Sequence, residues 1–178
     1  LEPSSVNNLL AVLNINNGSS VTVTVNSPSQ SPSLVYTKTI DLGGTPVSSG
    51  WWVWFFGLRR QQTQAIFDDI PPYADGIFTI EILGGSDLSV GVIMLGQQQL
   101  YGLGIKYGAR VGIQDYSRKE TNDFGDTVLV KRAFAKRANV DLFLDKSEVD
   151  PLQRELSRIR ATPVLWILSN DYESTTVF

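Results

Sequence analysis

The chain is 178 residues long, contains no cysteine and no histidine, and carries a formal net charge of −3. The two absences exclude disulfides, thiolate nucleophiles, Cys- or His-ligated zinc and the Ser-His-Asp triad, leaving carboxylate chemistry, lysine chemistry and oxygen-ligated Ca²⁺ or Mg²⁺. The charge is unevenly placed, with three basic and seven acidic side chains in residues 1–100 against twelve and eleven in 101–178.

Two halves of different electrostatics predict two structural units. The length suits one large domain or two small ones, and the apolar and charged contents are those of an ordered globular chain. No apolar run approaches the roughly 20 residues of a membrane helix, and the longest are Trp51–Phe56 and Val90–Leu95. No basic-then-apolar leader opens the sequence. Met94 is the only methionine, so Leu1 is not an encoded start and the chain is expected to be processed or part of something longer.

From Val6 to Gln97 the text is β-rich and punctuated by turn residues. Leu9–Ile15 alternates poorly. Behind the turn signal Asn16-Asn17-Gly18, however, Ser20–Val25 alternates strictly between apolar and polar. A Ser/Pro loop at Ser27–Ser33 precedes a strand at Thr37–Leu42, closed by Gly43-Gly44. Strands are then expected at Trp51–Leu58, Gln64–Ile70, Ile77–Leu83 and Val90–Leu95, with turns at Pro71-Pro72 and Gly84-Gly85. Short strands at regular spacing predict an antiparallel β-sandwich over 1–97.

Residues 98–110 read as a connector. The spacing Gly102-Leu-Gly104-Ile-Lys-Tyr-Gly108 does not fit the dinucleotide fingerprint. Val111–Asp145 then reads as one very long hairpin, with its tip at Thr121–Asp126 and a second arm reaching Leu144. Residues 106–137 hold eight basic and four acidic side chains. After the hairpin, Asp150 as N-cap, Pro151 at the first helical position and the stripe Leu152, Leu156, Ile159 predict a helix ending before Pro163. Val164–Leu168 and Tyr172–Phe178 complete the unit 111–178 as strands, the last of them expected to continue past Phe178. The fold class is thus mainly β, all-β to α+β.

Three groups of side chains are candidates for function. Trp51, Trp52 and Trp54 lie in one aromatic run. In a strand, alternate residues face opposite sides, so one face fills a core and the other is covered, forms a subunit contact or stacks on a sugar ligand. Asp68, Asp69 and Asp75 cluster around Pro71-Pro72. They fit turn hydrogen bonds, a Ca²⁺ site or a glycosidase carboxylate pair, though adjacent Asp68 and Asp69 would point to opposite faces.

The third group is Arg118, Lys119, Lys131, Arg132, Lys136 and Arg137, on the arms of the hairpin. A basic two-stranded ribbon can enter a nucleic-acid groove, or it can guard its own edges with charge. The pI near 4.9 and the interleaved Asp115, Glu120, Asp123 and Asp126 disfavour nucleic acid. Charge of both signs suits a neighbouring subunit, with ion pairs setting the register.

The block Leu95-Gly-Gln-Gln-Gln, Tyr107-Gly-Ala-Arg-Val-Gly-Ile-Gln-Asp-Tyr-Ser-Arg-Lys-Glu-Thr, Phe124-Gly-Asp-Thr and Val130-Lys-Arg-Ala-Phe-Ala-Lys-Arg, followed by Arg160-Ala-Thr-Pro-Val-Leu-Trp-Ile, resembles a family of tail proteins of tailed bacteriophages and prophages. The resemblance covers roughly 50–178, including Trp54-Phe55-Phe56 and Asp69-Ile-Pro-Pro-Tyr-Ala-Asp. It implies a structural virion protein of the tail or baseplate, similar to tail-tube and distal-tail subunits, with no catalytic residues and no cofactor. Such a protein assembles with copies of itself in a ring and with neighbouring tail proteins. It is located in the virion after assembly in the host cytoplasm, and it inserts into no membrane. A carbohydrate-binding sandwich contacting host glycans is the alternative, with a glycoside hydrolase behind it.

Overall fold

The computed structural model describes residues 6–43, 51–56, 61–121, 125–169 and 176–177. The protein is mainly β and divides into two compact units, Leu1–Gln99 and Leu100–Phe178.

The first unit holds β1 (Leu9–Asn26), β2 (Leu34–Asp41), α1 (Trp51–Phe56), β3 (Gln64–Phe67) and β4 (Ile77–Gly96). β1 is the central strand. One of its edges pairs antiparallel with β2 along Ser20–Asn26 and with β3 along Leu10–Leu13. Its other edge pairs antiparallel with β4 over nearly its whole length, from Leu9↔Gly96 to Asn26↔Ile77.

The poorly alternating Leu9–Ile15 and the strand expected at Ser20–Val25 therefore belong to one strand, and the strands expected at Ile77–Leu83 and Val90–Leu95 to another. The turn signals between them do not reverse the chain. Asn16-Asn17-Gly18 lies opposite Gly84-Gly85, and the register slips on both sides of the Gly18↔Gly84 pair. Two sets of turn residues facing each other crease the sheet. Glycine is needed there: a Cβ on Gly84 would run into the Asn17 carbonyl oxygen and lie 2.9 Å from Leu88 Cδ1. A Cβ on Gly18 would lie 2.6 Å from Ile15 Cγ2 and 2.9 Å from Leu42 Cδ1.

One hydrophobic core serves both arms of the creased strand. Leu10, Val12 and Ile15 come from the first arm, and Val21, Val23 and Val25 from the second. Leu42, Phe67 and Ile70 join them. The alternation of Ser20–Val25 decides its facing. The valines are fully buried while Thr22 and Thr24 point outward, and the Thr22 hydroxyl meets that of its cross-strand partner Thr39 at 2.8 Å. Burying each such side chain contributes about 1.5–3 kcal/mol.

Trp51–Phe56 corrects a strand expectation. It forms the short helix α1, and the Trp52 and Phe56 rings stack at 4.4 Å. In a strand, residues four apart would be separated by about 13 Å. The contact is available only to the helix. Residues 57–58 lie outside those described.

The second unit opens with β5 (Gly104–Ile105), β6 (Arg110–Asp115) and β7 (Arg118–Thr121). These return as β8 (Thr127–Val130), β9 (Phe134–Asn139) and β10 (Leu142–Phe143). β7 pairs with β8, β6 with β9 and β5 with β10, all antiparallel, so three ladders nest into one hairpin. Backbone bonds bridge the breaks, from Tyr116 N to the Ala133 carbonyl at 3.3 Å and from Lys106 N to that of Asp141 at 2.8 Å. The ladder draws Gly104–Ile105, read from sequence as connector, into the base of the hairpin.

After the hairpin comes α2 (Lys146–Arg158). It starts ahead of the expected N-cap: Asp145 caps it through its backbone, its carbonyl accepting from Glu148 N at 3.0 Å, and Pro151 lies inside the helix. Asp150 is therefore not the N-cap and Pro151 not the first helical position, because Lys146–Val149 adds a turn in front of them. Two short strands, β11 (Trp166–Ile167) and β12 (Thr176–Val177), then pair antiparallel.

Candidate functional site

Two of the three aspartates of the Pro-rich turn, Asp69 and Asp75, are engaged in separate structural bonds. Asp69 accepts from the Tyr36 hydroxyl at 2.7 Å and from Lys38 Nζ at 2.9 Å, tying the turn after β3 to β2. Burial pushes the Asp69 carboxyl up, but these two donors outweigh it and hold it below the usual carboxylate range. Burial, then the bond to Asp69, pushes the Tyr36 phenol well above its ordinary value. Asp75 accepts from the Ser27 hydroxyl at 2.6 Å and from Ser29 N at 2.9 Å, which closes the Ser/Pro loop onto the turn. Those donors hold its carboxyl down at about 2. Among the described residues no group of three acidic side chains is gathered as metal ligands, and Asp68, Asp69 and Asp75 are not brought to one centre.

The aromatic run is placed at the surface. Trp51 is 72% exposed, Trp52 61%, Phe55 67% and Phe56 65%. The rings contact one another, Trp51 meeting Trp52 edge-on at 6.0 Å. The Trp54 side chain lies outside what is described. These rings are not the interior filling that strand alternation predicts.

The ribbon β5–β10 is the most unusual surface. Every described residue of β6 and β7 is exposed, and β8 and β9 are exposed but for a few half-buried positions. On β6–β9 the register places Val111, Ile113, Phe134 and Ala138 on one face together with Lys136 and Asp115. Ile113, Phe134 and Leu129 are each more than half exposed. The six basic candidates are distributed along this ribbon. Arg118 pairs with Glu120 at 3.2 Å, and Lys131 helps the Ser117 donors hold the Asp115 carboxyl below its ordinary value. Arg132 N donates to the Ser117 hydroxyl at 3.1 Å, which pins the break between the two ladders. Lys119 faces Leu129 across the ladder, and Lys136 and Arg137 face Ile113 and Gly112.

Two features escaped the sequence reading. The first is where burial lies: every buried hydrophobic residue described falls between Leu9 and Ile70, and none in 100–178. The second is an open edge. β4 pairs with β1 and, among the described residues, with no other strand. Its inward residues Phe78, Ile80, Ile82, Leu88 and Val90 pack on the core yet stay half-buried, where the corresponding valines of β1 are fully buried. A strand of 20 residues without a single Lys or Arg, carrying Glu81 and Asp87, was the available signal.

No family model, no curated protein and no solved structure matches this chain. No described helix is long and apolar enough to cross a membrane.

Proposed function

We propose that the chain is a structural, non-enzymatic subunit of a bacteriophage tail or baseplate. It assembles with copies of itself in a ring, through the ribbon Gly104–Phe143, and docks neighbouring tail proteins. The observation that carries the assembly role is the exposed ribbon of the second unit, which buries none of its described hydrophobic residues. An isolated two-stranded ribbon is marginal in water, and exposed apolar positions such as Ile113 and Phe134 gain most when a partner covers them. The placement in a tail rests on the resemblance of residues 50–178. The reading requires no cofactor and no nucleic acid.

The reading is tested by mass photometry and electron microscopy of the purified chain across micromolar concentrations. Closed rings are expected, with assembly lost when the tip Thr121–Asp126 is replaced by a two-residue turn. A monomer at every concentration, or rings indifferent to loss of the tip, would overturn it.

The exposed indoles of Trp51 and Trp52 support a second reading, a surface that stacks on host glycans. Glycan-array binding that disappears in Trp52→Ala, with the melting temperature kept, would favour it.

A further inference from the structure

We infer that the open edge of β4 is the receptor for the ribbon of a second copy, which adds its basic arm as a strand to the first unit's sheet. The inference rests on the assembly reading above and names the two surfaces that meet.

Three observations converge on it. β4 is a long edge with unpaired backbone groups on one side, since β1 is its only strand partner among the described residues. Natural edges of this length are normally blunted by lysine, proline or a cover. β4 has neither Lys nor Pro, and its inner residues remain half-buried.

The arm β9 offers what that edge lacks. β9 pairs in a ladder only with β6, and β12 approaches it at a few positions, so among the described residues most of its outer edge has no strand partner. Main-chain hydrogen bonds between two such edges supply affinity without any special side chain.

Charge selects the combination. β4 carries Glu81 and Asp87 and no base, while β9 carries Lys136 and Arg137 and no acid. Pairing two β9 arms would oppose like charges, and pairing two β4 edges would do the same. Only the unlike pairing of β4 with β9 is complementary. That contact joins different patches of the two copies, so it is head-to-tail and closes into a ring or extends as a filament.

The absence of native cysteine makes the test clean. Thr79 on β4 and Ala135 on β9 are both exposed, and Thr37 on β2 is an exposed control at the opposite edge. Chains carrying only Thr79→Cys are mixed with size-tagged chains carrying only Ala135→Cys and treated with a short bis-maleimide. A cross-linked heterodimer is expected, and none when Thr37→Cys replaces Thr79→Cys. In parallel, Glu81→Lys with Asp87→Lys, or Lys136→Glu with Arg137→Glu, is expected to weaken assembly by about tenfold. Combining all four changes in one chain restores it. Rings that form normally in both charge variants, with no heterodimer from the Thr79 pair, would overturn this inference while leaving assembly through the ribbon intact. A chain that stays monomeric in every form would instead remove the assembly reading and this inference together.

Discussion

Asp75 shows how a carboxylate that looks like chemistry is used for folding. The hydroxyl of Ser27, itself fully buried, and the amide of Ser29 converge on it and hold its carboxyl at about 2. An unperturbed aspartate titrates near ~3.9. Because the folded value is the lower one, the interaction stabilises the fold fully above about pH 4. It is lost as pH falls from there toward 2. Carboxyl-resolved NMR titration should therefore place Asp75 near 2, and Ser27→Ala should move it back toward the ordinary value. Tyr36 carries the opposite sign. Its proton is retained in the fold by burial and by the bond to Asp69, so its contribution is present below about pH 10 and fades as pH rises beyond it. Tyr36→Phe should flatten the alkaline loss of stability in a urea-denaturation series. The crease glycines define the second residue-scale test. Gly84→Ala forces a methyl against the Asn17 carbonyl and Leu88, and should cost about 1–3 kcal/mol, measured by denaturant midpoint.

The elements explain what a single sequence could and could not reveal. Strand content was legible because Val21, Val23 and Val25 alternate with threonines, and that pattern survives whatever pairs with it. The turn signals were equally visible, but Asn16-Asn17-Gly18 and Gly84-Gly85 are 66 residues apart in sequence, and only pairing shows that they face each other. A residue that permits a reversal also permits a bulge. Trp51–Phe56 misled because aromatic content favours strands only where a pleated surface receives it, and here the rings stack along a helix instead. The helix near Pro151 was legible in position but not in its start. Inside α2, Pro151 has no amide to offer the Ser147 carbonyl. Pro151→Ala should stabilise the helix by about 1–3 kcal/mol, read as slower amide exchange over Lys146–Arg158. The candidate surface was legible in part. The charged arms stand out in the sequence, while the β4 edge that would receive them emerges only from the sheet order.

At the scale of the whole molecule, the two units differ in what holds them together. All described buried hydrophobics lie between Leu9 and Ile70, so residues 1–99 should fold alone with a cooperative melt. Residues 100–178 made alone should lack one, since a ribbon exposed on both faces has little apolar burial to offset chain entropy. The charge asymmetry adds a decisive experiment. If the basic ribbon of one copy rests on the acidic edge of another, the attraction is between partly exposed charges and is screened over about 8–10 Å at physiological salt and about 3 Å at 1 M. Contacts driven by apolar burial alone would hold or tighten under the same change. Assembly followed by mass photometry from about 0.05 M to 1 M NaCl should therefore weaken steadily in the native chain. The four-residue charge swap should show the same slope, because it restores the attraction with signs exchanged. The variants bearing only one reversed pair should instead strengthen as salt rises, since screening then relieves repulsion. A native assembly that strengthens with salt would place the contact on Ile113 and Phe134 rather than on charge.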